Sequence, residues 1–138
     1  MKLTSSAFQN NQFIPAKYTC DGEDINPPLT ISDVPAQAKS LVLIVDDPDA
    51  PGGTFTHWVV ANISPTTREI REGTLPEGAI EYGNDFGKLD YGGPCPPSGT
   101  HRYFFRLFAL DTDFTTIASM QGHILAQAEL IGLYQREK

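Results

Sequence analysis

Hydrophobic residues along this chain are spaced mostly as they are in strands. Residues 40–45 (SLVLIV) form a continuous β-branched run of strand length bounded by charged turn residues, the pattern of a central strand buried on both faces. Residues 56–63 (THWVVANI) predict a second strand, stopped by Pro65. The strongest strand is residues 101–110 (HRYFFRLFAL), with Tyr103, Phe105, Leu107 and Ala109 on one face and Arg102, Phe104, Arg106 and Phe108 on the other. Its two arginines call for carboxylates at a sheet edge or a subunit contact. Residues 29–32 predict a short strand and residues 34–38 a connection, and residues 64–88 read as a charged, solvated excursion holding one edge strand over residues 79–82. Only the C-terminus departs from this pattern. Ile124, Ala128 and Ile131 recur at helical spacing beside Leu125, Leu130 and Tyr134, and Arg136 and Lys138 sit where cations complement a helix dipole. A C-terminal helix follows, with Gly122 interrupting an earlier turn that starts near Thr116. The predicted architecture is mainly β: an antiparallel sheet core with Greek-key-like returns and that helix packed against it.

Composition narrows the class. The 138 residues suit a single domain spanning 1–138, and 12 glycines and 11 prolines dispersed along the chain describe a turn-rich globular protein. A net charge of −7 with no Lys/Arg cluster opposes non-specific attraction to nucleic acid and to anionic membranes, so any anion must be bound locally. No apolar run approaches transmembrane length, and the N-terminal MKLTSSAFQNNQFIP has no secretory apolar core; the expectation is a cytoplasmic protein without integral membrane association. Cys20 and Cys95 are too few for a disulfide scaffold and wrongly spaced for a zinc knuckle. In a reducing compartment they are expected as reduced packing residues, with a disulfide or a thiol at a pocket rim as the alternatives.

Candidate chemistry concentrates in two stretches of similar design. Residues 47–57 (DPDAPGGTFTH) place two carboxylates on a proline-stiffened turn and deliver His57 at the next strand's start. Residues 91–103 (YGGPCPPSGTHRY) again run through proline and glycine to a histidine, His101, heading an aromatic strand. The matching contexts predict that the two meet in one small pocket. An adjacent Asp fixes a histidine's tautomer and favours imidazolium, so His57 and His101, backed by Asp47 or Asp49, are expected to donate to an anion such as phosphate, acetate or sulfate. Trp58 and Tyr91 either line this pocket or pack under it, and His123 reads as a structural contact at the helix start. A His/Asp general acid–base pair for hydrolysis or isomerisation is the enzymatic alternative. GxSxG, HExxH, P-loop and dinucleotide motifs are all absent, no cofactor is implied, and Cys95 is the only attractive nucleophile. Zinc or a harder divalent ion held by two His and two Asp is a third reading.

DPDAP followed by a strand-initial His, then GPCPPSGTHRYFF, resembles the phosphatidylethanolamine-binding protein family, related to the Raf kinase inhibitor protein family. The likeness runs from YTCDGEDINPPL to GHILAQAELIGLYQR and has the flavour of the short bacterial and archaeal members. It implies a large antiparallel sheet with a second, smaller one, C-terminal helical structure, and an anion pocket at one end. Carried over residue by residue, it implicates Asp47, Asp49 and His57 from the first motif, and Pro94, His101 and Tyr103, with Tyr91 beside them, from the second. It further implies a phosphate-bearing ligand, a kinase or protease as a protein target, a homodimer built on the apolar C-terminal face, and a cis bond at Ala50–Pro51.

Overall fold

The computed structural model describes residues 1–136. At its centre is β4 (Ser40–Asp47), buried along its whole length, with the apolar run at residues 41–45 as its core. It pairs antiparallel with β5 (Phe55–Ile63) on one side and β8 (His101–Leu110) on the other. Beyond β5 lies the short edge strand β7 (Ile80–Tyr82), and beyond β8 lie β9 (Ile124–Tyr134) and β2 (Gln12–Phe13), giving the order β2-β9-β8-β4-β5-β7. β4, β5 and β7 are successive neighbours, and β8 returns over a long connection to the far side of β4, which is the Greek-key order.

A second sheet, β1 (Lys2–Thr4), β3 (Leu29–Ser32) and β6 (Glu69–Ile70) in the order β1-β3-β6, encloses the main core. Leu3, Leu29, Ile31 and Ile70 from it meet Leu41, Leu43, Val45, Trp58, Tyr103, Phe105 and Leu107 from the large sheet. The alternation read in β8 is observed: residues 103, 105, 107 and 109 are fully buried, and the opposite face is mixed. On that face Arg106 meets Asp46 at 3.0 Å and Glu129 at 3.5 Å, so the carboxylates it needs come from neighbouring strands.

The expected C-terminal helix is absent. Residues 124–134 are β9, paired with β8 from Leu110↔Ile124 to His101↔Tyr134, and the only helical turns among the described residues are 3-10 turns at Ala16–Tyr18 and Ala118–Met120. The segment satisfies both periods. Ala126, Ala128, Leu130, Gly132 and Tyr134 turn inward at period two, with Gln127 and Glu129 outward. What decides is β8, a ten-residue strand whose second edge would otherwise leave backbone donors and acceptors unpaired. Gly132 also fits the strand, because a Cβ there would run into the side chains of Ile14 and Phe8. Arg136 lies 3.4 Å from Asp21 instead of capping a helix, and Lys138 is outside the described residues.

Two further expectations change. Cys20 and Cys95 form a disulfide, where reduced thiols were expected. Spacing in sequence could not reveal that the loop after Gly92 docks on the N-terminal segment, through Tyr91 Oη donating to the Tyr18 carbonyl (2.8 Å), Cys20 N–H to the Pro94 carbonyl (3.1 Å) and Gly93 N–H to Asp24 Oδ1 (2.8 Å). The Ala50–Pro51 bond is trans.

Candidate functional site

The two stretches converge. Asp47, Ala50, Pro51, Phe55 and His57 from the first, and Cys95, Pro96, Pro97, His101 and Tyr103 from the second, line one cavity of about 250 Å³, completed by Phe86. Sheet geometry explains how. The β4–β5 register steps from Val45↔Trp58 to Asp46↔Thr56, so His57 is the extra residue of a β-bulge, a device that re-aims a side chain. His101 and Tyr103 project from the same face of β8 by period two, with nearly parallel rings 6.4 Å apart.

Asp47 ends β4, is 3 % exposed, and has both oxygens engaged: Oδ1 accepts the Asp49 N–H at 2.8 Å and Oδ2 accepts from His101 Nδ1 at 2.7 Å. Nδ1 of His101 therefore carries a proton, and Nε2 is the nitrogen left to the cavity. His57 is held differently. Its Nδ1–H donates to the Gly92 carbonyl at 2.7 Å, and its ring is boxed by Phe55, Phe86 and Tyr103 with centroids 5.1, 5.2 and 5.3 Å away. Burial pushes its pKa down from the ordinary value, and the Gly92 and Gly93 carbonyls and the Asp47 and Asp24 carboxylates only partly oppose this. The sequence-level expectation of a raised pKa and an imidazolium donor is thus reversed for His57: the neutral ring offers a lone pair at Nε2.

Tyr103 is fully buried, and its hydroxyl is the one buried side-chain polar atom without a hydrogen-bond partner among the described residues. Burial, and after it the charge of Asp47, pushes its pKa well up, so it stays a neutral donor. Asp47 and the Cys95 backbone lie near this hydroxyl without reaching hydrogen-bond geometry, so its demand for an acceptor is unmet inside the chain.

Three residues implicated by sequence stand outside the cavity lining. Asp49 turns away to Arg102, which donates Nε–H and Nη2–H to its two oxygens at 2.9 and 2.8 Å, and this guanidinium holds the Asp49 carboxyl down at about 2. Tyr91 packs edge-on against Trp58 (5.5 Å), itself 1 % exposed and donating to Glu81, and both side chains lie outside the lining. Pro94 is buried and contributes its carbonyl to Cys20, while Pro96 and Pro97 form the lining. His123 pairs with Asp111 at 2.8 Å and immediately precedes β9, so it stands at a strand start and not a helix start.

Sequence reasoning missed Phe86, which lies in a glycine-flanked loop with no periodicity. Asn84 fixes that loop: its side-chain NH₂ donates to the His57 and Asp90 carbonyls, and its Oδ1 accepts from Phe86 and Lys88 N–H. Cys95, the one attractive nucleophile, has its sulfur in the disulfide. Among the described residues no three or more His, Cys, Asp and Glu side chains are arranged to hold a metal ion. No Lys or Arg lines the cavity, whose charged and titratable groups are Asp47, two imidazoles and a phenol.

A family model described as phosphatidylethanolamine-binding protein matches residues 4–135. A UPF0098 protein of Methanothermobacter thermautotrophicus is 51 % identical over 150 aligned positions covering 99 % of both chains. Among solved structures, CT736 of Chlamydia trachomatis, described as a phosphatidylethanolamine-binding protein homologue, superimposes with a TM-score of 0.94 at 43 % identity over 99 % of this chain and 97 % of its own. Escherichia coli YbcL, described as a member of the mammalian family of that name, gives a TM-score of 0.91 at 30 % identity over 99 % and 98 %.

Proposed function

Because the chain belongs to the phosphatidylethanolamine-binding protein family, we propose that its cavity binds a small anion or phosphate-bearing group, and that the protein is a cytoplasmic, non-catalytic binding module. The observation that carries this reading is the buried, unpartnered hydroxyl of Tyr103, a residue that lines a cavity of about 250 Å³ together with the His101–Asp47 pair. A donor that has no partner inside the protein gains most from an acceptor supplied by a ligand. Rigid strands hold the three groups, and apolar walls of Phe55, Phe86 and prolines raise the strength of each polar contact by excluding water. Catalysis is the weaker reading. Asp47 is committed to two hydrogen bonds and His57 to the Gly92 carbonyl.

At the scale of a single phosphoryl group, the site suits a phosphorylated group presented by a partner, which is how a regulator of a kinase or protease would use it. Inorganic phosphate titrated into the protein, followed by histidine side-chain NMR, is expected to shift His57 and His101 together along one binding curve while exposed, Asp111-paired His123 stays still. No ligand-linked shift at either cavity histidine overturns the proposal.

A further inference from the structure

We infer that the cavity selects a singly charged oxyanion that still carries a proton, such as a monoprotonated phosphomonoester, whose hydroxyl donates to Nε2 of His57 while a bare oxygen accepts from Tyr103. This rests on the anion-binding reading above and adds to it the protonation state and chemical class of the ligand.

The tautomer of His57 follows from geometry. A carbonyl cannot donate, so the 2.7 Å contact with Gly92 O puts the proton on Nδ1, and the neutral ring presents a lone pair at Nε2. Protonating Nε2 as well would place a cation inside a box of Phe55, Phe86 and Tyr103 rings, at a residue 4 % exposed. A ligand seated against His57 must therefore bring its own donor. Tyr103, with no partner of its own, asks instead for an acceptor. Only a group that donates at one oxygen and accepts at another meets both demands.

Charge leads to the same class. The lining holds one buried carboxylate, Asp47, and no Lys or Arg. The nearest guanidinium, Arg102, is half exposed and already bidentate with Asp49. A dianion would face the Asp47 charge in a lining that has no Lys or Arg to offset it; a monoanion halves that repulsion. The titratable groups around His57 are Asp47 from β4, Tyr103 from β8 and Asp24 from the N-terminal segment, with His101 in the same lining.

Methyl phosphate and methyl sulfate provide the test, since they are near-isosteres that are both monoanions at low pH, and only the phosphate bears a hydroxyl. Isothermal titration of the whole protein at about pH 5.5 is expected to show methyl phosphate binding at least about tenfold more tightly. Because methyl sulfate keeps its charge throughout, its pH profile reports the protein's own titrations, and the ratio of the two affinities isolates the ligand proton. That ratio is expected to fall about tenfold per pH unit above the second phosphate ionisation, near 6. His57→Gln, whose amide can turn an N–H toward the ligand, is expected to bring the ratio to within about twofold of unity. Equal affinities at about pH 5.5, or a ratio unchanged up to about pH 8, overturn the inference and leave anion binding standing. Failure of both ligands to bind overturns the inference and the anion-binding reading together.

Discussion

Replacing Tyr103 by Phe separates the cost of the site from its use. The ring stays in place, so its contacts with His57 and with the core around Phe105 are kept, and only a buried, unpartnered hydroxyl is lost. Leaving such a group unsatisfied costs about 1–3 kcal/mol. The nearby Asp47 carboxylate and Cys95 backbone relieve part of this, so the lower end applies and the ligand-free variant is expected to gain about 1 kcal/mol. For a chain of this length that is a rise in Tm of about 2–5 °C. Phosphate should reverse the order. At a hundredfold excess over Kd the wild type gains about 2.7 kcal/mol by linkage, whereas the variant lacks a hydrogen bond to a charged ligand worth about 1.5–3 kcal/mol and should bind roughly tenfold or more weakly. Thermal melts with and without phosphate check both halves. A ligand-free loss of more than about 1 kcal/mol would refute the reasoning, since it would mean that the hydroxyl is already partnered. An undiminished response to phosphate would equally refute the role given to Tyr103.

His57 should make stability fall with acidity. Its pKa lies below the ordinary 6.5 because of burial, so as pH drops below that value the unfolded chain takes up a proton that the native ring refuses, and stability is lost down through the lowered native pKa. Urea titrations at about pH 7 and pH 5 should show this slope diminished in His57→Gln; an identical slope counts against a buried neutral His57. Breaking the Cys20–Cys95 bridge, which joins residues 75 positions apart, by a double Ser substitution should cost about 4 kcal/mol on the chain-entropy account, read from the denaturant midpoint. The same variant should bind phosphate less tightly, because Cys95 lines the cavity. Gly132→Ala distinguishes strand from helix at the C-terminus: on a helix surface it would stabilise by about 1 kcal/mol. In β9 its methyl meets Ile14 and Phe8, and a loss of about 1–3 kcal/mol is expected on denaturation.

Much of the large sheet was legible because its signals are one-dimensional. A strand buried on both faces carries a continuous apolar run, which marks residues 41–45 of β4, and a strand between a core and a mixed face must alternate, which marks β8. Residues 124–134 carried no such discrimination, since Ala, Leu, Glu and Gln suit a helix and their inward positions also fall at period two. The mid-segment Gly132 was the one signal against a helix. The site divides in the same way. Asp47, His57, His101 and Tyr103 could be picked out because two loops repeat one design, a stiff turn handing a histidine to a strand. Asp49, two residues from Asp47, was indistinguishable from it in sequence, and pairing with Arg102 is what turned it away.

The chain's own order of residues thus specifies which segments must be covered, which turns are stiff, and which side chains have the chemistry to hold an anion. It leaves open what those segments and side chains meet. The partner of β8's second edge, the cysteine opposite Cys95, the aromatic wall from Phe86 and the proton on His57 Nδ1 all depend on groups brought together from distant positions. Hydrogen bonding and burial act through space, so the sequence could present two histidines as equivalent donors while the folded surroundings made one the partner of a carboxylate and the other a buried acceptor.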